Sequence, residues 1–306
     1  MINRVTQQTV QRSTLANVQL NLSKMADLQG RMSGGKVITR PSDDPAGTAQ
    51  AMSIRSAKRA AEQHARNAAD GVAWLSTADS ALTGAAAQLR RARDLTVQGA
   101  NSGVQTPSSR AALATEGENP RDGLLDQANT TYLGRSVFAG TSDAAGAFSD
   151  GSAVPPYAWT GAPGATVERR TAPDTTIRAD ADGAIAFGTG TDPLVPGGRS
   201  VFALLDQIAA DLRSGGEVGP HPTEIDTRME AMLGELAAVG SRYTQMTAAQ
   251  SSIQGTVLDL TSQLSDVEDI DLAATIMELE MQEVAYKGAL GATARVLQPT
   301  LMDFLR

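Results

Sequence analysis

Apolar residues recur every seven positions from Ile225 through Met232, Val239, Met246, Ile253 and Leu260 to Val267. A companion series, Met229, Leu236, Tyr243, Gln250, Val257 and Leu264, breaks only at Gln250. Alternating steps of four and three predict one long helix with a single apolar stripe. At 1.5 Å per residue the stripe runs for roughly 63 Å. A second ladder, Ile54, Ala61, Ala68, Leu75, Leu82 and Leu89, lies in the first third, with Ala57, Gly71, Ala78, Ala85 and Ala92 beside it. Small residues on that seam admit a partner backbone, so this helix is built to pack. Ser42-Asp43-Asp44-Pro45 supplies capping side chains before a proline at the first turn. Two such helices, far apart in the chain, predict antiparallel partners.

Both ends repeat the pattern on a shorter scale. Leu15, Val18, Leu22, Met25 and Met32 keep heptad spacing at the start, and Ala274, Met277, Met281 and Val284 keep it near the end. The second seam of the long C-terminal pattern slips by one residue around Asp271, which predicts a joint there. Charge supports pairing of the ends. Residues 1–40 hold six basic groups against Asp27, a net of +5, and residues 257–306 hold nine acids against three basic groups, a net of −6. Short helices of this kind are expected to order when partners cover them, around a folded middle of about residues 45–262.

Between the two ladders the pattern is lost. Residues 141–199 hold six of the 13 prolines and nine of the 29 glycines, and Thr166–Arg170 and Thr175–Arg178 read as strands. Asp182-Gly183 before Ala184–Phe187 reads as a hairpin turn. Helix returns at Val201, Phe202, Leu205, Ile208, Ala209 and Leu212, and Ser214-Gly215-Gly216 closes it. The fold class is therefore mainly α: an elongated antiparallel helical rod of long heptad helices, terminal helices forming a coiled coil, and a small β-rich inserted domain. The divisions fall at 1–44 (N-terminal helix), 45–140 (rod), 141–199 (insert), 200–262 (returning rod) and 263–306 (C-terminal helix).

Composition narrows the chemistry. The 306 residues include no cysteine, which removes disulfides, thiolate metal sites and a cysteine nucleophile. Two histidines, His64 and His221, lie far apart, His221 between two prolines in an expected loop, and neither has a second ligand at usable spacing. A net charge of −8 argues against a nucleic-acid surface. The start has no continuous apolar run of a signal peptide, and no 18-residue apolar stretch predicts membrane insertion. By those rules the chain would be cytoplasmic.

Motif-like stretches have plainer explanations. Gly30 to Lys36 fits the spacing of a phosphate loop, but Val37 stands where Ser or Thr is needed and a heptad helix leads in, so Gly34-Gly35 reads as a helix stop. Asp180-Ala181-Asp182-Gly183 resembles a calcium loop, yet Arg178 and Thr189 occupy its end ligand positions. The acids from Asp266 to Asp271 read as a solvated or partner-facing run. No cofactor, metal or catalytic group is expected, and the protein reads as a non-enzyme.

Arg66–Leu82, followed by Leu89–Asn101, resembles the N-terminal rod helix of the bacterial flagellin family. Arg40–Gly47, Gly134–Thr141 and the ending Thr300–Leu305 are similar to the members of that family that join hook to filament. The resemblance covers about residues 1–141 and 200–306. It implies export through the flagellar type III export apparatus without signal cleavage, which replaces the cytoplasmic reading with an extracellular place at the hook-filament junction. It implies termini paired as the inner tube, rod helices as the next shell, and the insert facing outward. Its implied partners are copies of itself in a short ring-like layer, the first hook-associated protein, flagellin, and a dedicated export chaperone on the C-terminal segment.

By position, Leu15, Val18, Leu22, Met25, Met32, Leu272, Met277, Met281, Val284, Leu301 and Leu305 would carry subunit packing through the terminal helices. Ile54, Leu75, Leu82, Leu89, Met232, Val239, Ile253, Leu260 and Leu264 would carry rod packing. One departure from the family is Gly117-Glu118-Asn119-Pro120, where the second rod helix is expected to break and restart at Pro120 with Asn119 as cap. The rivals are a flagellin-type filament subunit, a coiled-coil signalling hairpin and, third, an enzyme.

Overall fold

The computed structural model describes residues 7–101, 106–153, 155–190 and 199–296. The elements run α1 (Gln7–Gly34), α2 (Pro45–Ala100), α3 (Pro107–Ala128), β1 (Thr131–Tyr132), β2 (Arg135–Ser136), β3 (Glu168–Ala172), β4 (Thr175–Arg178), α4 (Gly183–Phe187), α5 (Val201–Ser214), α6 (His221–Glu268) and α7 (Leu272–Val296). The fold is mainly α with two small antiparallel sheets, β1-β2 and β3-β4. It divides into two compact units, Met1–Ala60 with Val257–Arg306, and Ala61–Thr256.

In the larger unit the two ladders form as the spacing predicts. On α2, Leu75, Leu82 and Leu89 are fully buried, as are Met232, Val239 and Met246 on α6, and Ile253 is buried nearby. The helices run antiparallel: Gly71 faces Met246, and Arg93 pairs with Asp226 at 2.5 Å. A Cβ on Gly71 would lie 2.5 Å from the Met246 Cε, so the small seam position sets how closely the helices approach. Helix α3 packs on α2 through reciprocal glycine positions, Gly84 against Gln127 and Gly123 against Gln88. Leu113, Ala114, Leu205, Ile208 and Leu212 fill the space between α2, α3 and α5.

Helix α3 corrects an expectation. It is continuous from Pro107 to Ala128 with Pro120 inside it, and Asn119 is not a cap. Pro120 is buried, and the turn around it is braced by Arg91–Glu116 and Arg213–Glu118 ion pairs. Tertiary packing thus holds a helix that local propensity would interrupt. The helix start lies instead at Thr106, whose hydroxyl accepts from the Ser109 amide.

The β3-β4 hairpin forms where the strands are expected. Asp182-Gly183 does not make a hairpin turn. Asp182 caps α4, its carboxylate accepting from the amides of Ala184 and Ile185. Gly183 is required because a Cβ there would meet the Phe138 carbonyl oxygen at 2.5 Å. The β1-β2 hairpin is not anticipated by the heptad reading. Both hairpins meet at Trp74, with the guanidinium groups of Arg135 and Arg169 lying 5.6 and 5.5 Å from its ring. Arg169 also pairs with Asp70, and the Asn67 side chain donates to the Arg170 carbonyl.

The few aromatics are concentrated rather than dispersed. Phe138, Phe148, Tyr157, Phe187 and Phe202 form one cluster with ring centroids 5.2 to 5.8 Å apart. The Tyr157 hydroxyl donates to Asp206, which also receives Arg121. Burial, then Asp206, pushes the Tyr157 hydroxyl above its ordinary pKa, so it stays a donor. His221 is not in a loop but opens α6, buried, with its Nε2 2.8 Å from Asp211 at the end of α5.

Met246→Ala should destabilise the larger unit by about 2–4 kcal/mol through a residual cavity. Leu233→Ala, on the exposed side of the same helix, should cost below about 1 kcal/mol. Equal shifts in urea unfolding of the two variants would contradict the assigned seam.

Candidate assembly surface

The smaller unit is built from the two ends of the chain. Helix α1 packs against α7. Along α1 the half-buried or buried positions include Thr14, Val18, Asn21, Met25, Leu28 and Met32, and along α7 they include Thr275, Leu279, Gln282, Tyr286, Ala289 and Thr293. Both sets step by four and three, which is coiled-coil geometry. Gln282 Nε2 donates to the Asn21 carbonyl and to its side-chain oxygen, both at 3.2 Å. A polar pair on an otherwise mixed seam specifies register at some cost in stability.

The anticipated α1 stripe shares Val18, Met25 and Met32 with this seam, but Leu15 and Leu22 lie one residue off it and are exposed. On α7 the anticipated Met277, Met281 and Val284 are not on the seam, and neither is Leu272. They are exposed together with Ile276 and Leu290, Met281 at 67%. The pair thus buries a mixed seam, with Val18, Met25, Leu28, Met32, Leu279 and Tyr286 among its polar members, and leaves further apolar side chains in water. Leu301 and Leu305 lie outside the described residues. Of the expected rod positions in this unit, Ile54 is buried, while Leu260 and Leu264 are half-buried.

A polar clamp fixes the base of the pair. Helix α1 stops at Gly34, Gly35 takes φ +66°, and Lys36 bridges antiparallel to Asp269 in the joint between α6 and α7. The Val37 amide donates to the Glu268 carbonyl at 2.7 Å, and the Ile270 amide to that of Gly35 at 3.2 Å. Lys36 Nζ reaches Glu268 at 3.1 Å and Asp269 at 2.7 Å, and Arg55 reaches Glu268 at 2.7 Å. Glu268 is only 3% exposed, so its charge requires those cations. Asp271 then starts α7, its carboxylate accepting from the Ala274 amide. Within the run from Asp266 to Asp271, expected to be solvated or partner-facing, Glu268, Asp269 and Asp271 thus find partners inside the chain. Asp44 caps α2 through the Gly47 amide, and Asp43 accepts from the Thr39 hydroxyl and the Arg40 amide.

Lys36, followed by the Ser265 hydroxyl, holds the Asp269 carboxyl below its ordinary value of 3.8. Asp269, then Glu268, raises Lys36 above 10.5. Among the described residues no three His, Asp or Glu side chains are grouped to hold a metal ion, and no helix is long and apolar enough to cross a membrane.

Residues 5–143 match the bacterial flagellin N-terminal helical region. Over most of its length the chain is a homologue of flagellar hook-associated protein 3. It is 27% identical to that protein of Escherichia coli (strain K12), covering 85% of this chain and 86% of the relative. Its identity to that of Salmonella typhimurium is 24%, with 94% of each covered. The fold matches that of a flagellar hook-associated protein from Vibrio parahaemolyticus, with a TM-score of 0.66 and 21% identity over 74% of this chain and all of that one. It also matches flagellar hook-associated protein 3 from Legionella pneumophila, with a TM-score of 0.59 and 16% identity over 71% and 98%.

Glu268→Gln should loosen the clamp by about 1–2 kcal/mol, because Lys36 and Arg55 are themselves partly in water. The pH dependence follows from the signs. The Asp269 contribution is present above 3.8 and lost as pH falls through the depressed value. The Lys36 contribution is present below 10.5 and lost as pH rises through the raised value. Hydrogen exchange at the Val37 and Ile270 amides should therefore be slow through neutral pH, after correction for intrinsic rate, and accelerate relative to it below about pH 4. Flat protection into that acid range would contradict the clamp.

Proposed function

We propose that the chain is a structural component of the bacterial flagellum, the adaptor joining the hook, through the first hook-associated protein, to the flagellin filament. The observation that carries this reading is homology to flagellar hook-associated protein 3 over 85% and 94% of the chain. The exposed apolar side chains of α1 and α7 fit it, since Met277, Met281 and Val284 follow one another at helical spacing and an apolar stripe left in water marks an interaction surface. On this reading Leu15, Leu22, Leu272, Met277, Met281 and Val284 pack against neighbouring copies in a short ring-like layer, while Val18, Met25 and Met32 serve the seam within each copy. A dedicated export chaperone covers the C-terminal segment beforehand, and the flagellar type III export apparatus carries the chain to an extracellular place at the junction.

A flagellin-type filament subunit is less well supported. The flagellin of Bacillus subtilis is 37% identical, but over only 30% of this chain and 31% of its own length. A coiled-coil signalling hairpin leaves both the whole-length relatives and the insert without a role, and the homologues are structural proteins rather than enzymes.

Cells lacking the protein should carry bare hooks by electron microscopy and shed unpolymerised flagellin into the medium, because export continues while the filament has no place to start. Normal filaments on such cells would overturn the reading. In complemented cells Leu22→Asp should reduce filament number strongly through a charge buried without a partner. Undiminished filaments would mean that the exposed face of α1 is not an assembly surface.

A further inference from the structure

Among the described residues the methionines divide sharply by exposure. Met229, Met232 and Met246 are buried in the larger unit, and Met25 and Met32 are half-buried in the terminal seam. Met52, Met277 and Met281 stand in water. Met277 and Met281, 60% and 67% exposed, lie one turn apart on α7, and Val284 continues their stripe. The seam side of the same helix, Thr275, Leu279, Gln282, Tyr286, Ala289 and Thr293, holds no sulfur. Sulfur that an oxidant can reach is thus placed on the stripe, and sulfur that supports the fold is covered.

A thioether is apolar until an oxidant reaches it. Hydrogen peroxide transfers one oxygen atom to the sulfur: an S–O bond forms, the O–O bond breaks, the sulfur gives up two electrons to the peroxide, and water leaves. The product, methionine sulfoxide, presents a polar oxygen where the neighbour would meet a soft apolar surface. In water that oxygen is hydrated. Covered by an apolar contact with no donor opposite, it carries the desolvation cost of an unpaired polar group.

We propose that Met277 and Met281 are oxidation sites of the free chain, and that their conversion to methionine sulfoxide blocks docking while leaving the fold intact. The inference rests on the assembly reading above and adds to it a chemical condition: the stripe must reach its neighbour with both sulfurs reduced. Docking then covers them, so the vulnerable state is the chain before assembly.

Purified chain treated with hydrogen peroxide and mapped by peptide mass spectrometry gives the first test. Met52, Met277 and Met281 should be oxidised before Met229, Met232 and Met246, and chain stopped at that stage should melt at an unchanged temperature. A different order, or a lowered melting temperature, overturns the inference. Hooks isolated from cells lacking the chain then report docking by co-sedimentation. The oxidised chain should bind about tenfold more weakly than the untreated chain, the loss expected for one polar group covered without a partner. Met277→Leu/Met281→Leu keeps the stripe apolar without its sulfur. After the same treatment it should bind as tightly as the untreated protein, whereas Met52→Leu should remain sensitive. Undiminished binding by chain carrying both sulfoxides, or an equal loss in the double variant, overturns the inference and leaves the assembly reading intact. Failure of the untreated chain to bind such hooks overturns both.

Discussion

Glu268 is a carboxylate taken out of water at the point where the two ends of the chain meet. Lys36 and Arg55 compensate it, and the backbone bridge between residues 35–37 and 268–270 holds both chain segments in register around it. This one constraint fixes several others. It ends α6 at Glu268, sets Asp271 as the cap of α7, and returns α7 antiparallel along α1. With the base of the pair set, the Asn21–Gln282 hydrogen bonds choose among the registers that a small, mixed seam would otherwise allow.

The terminal pair then buries only part of its apolar surface. Thr14, Asn21, Thr275, Gln282 and Thr293 share the seam with Val18, Met25, Leu28, Met32, Leu279 and Tyr286, while Leu15, Leu22, Met277, Met281 and Val284 stand in water. As an isolated hairpin this is poor use of apolar surface. For a subunit whose neighbours cover that surface, the same distribution stores its apolar contacts for assembly. The larger unit does the opposite, burying both ladders and gathering five of its aromatic rings into one cluster. On the proposed function, structural stability and assembly fall to different parts of one chain.

The long helices were legible because burial follows a period of seven along α2 and α6, and that period is set by helix geometry alone. The joint at Asp271 and the helix stop at Gly34-Gly35 were legible for the same local reasons. Reading the terminal seam needed more than apolar spacing. In α1 two heptads share Val18, Met25 and Met32, and only the partner helix decides whether Thr14 and Asn21 or Leu15 and Leu22 complete the stripe. Pro120 misled because propensity is local while its helix is held by Glu116 and Glu118 pairing with Arg91 and Arg213, distant in sequence. The opposite charge of the two ends pointed toward the clamp, but singling out Glu268 among neighbouring acids required knowing which one is buried.

The central claim is that the two faces of the terminal pair have different partners, one within the chain and one between chains. Maleimide labelling of single cysteines placed at Met25, Leu279, Leu22 or Met281 tests it in an otherwise cysteine-free protein. In the free chain, Leu22→Cys and Met281→Cys should label fast and Met25→Cys and Leu279→Cys slowly. In isolated flagella all four should be protected. Fast labelling of Leu22→Cys and Met281→Cys in the assembled state would contradict the account.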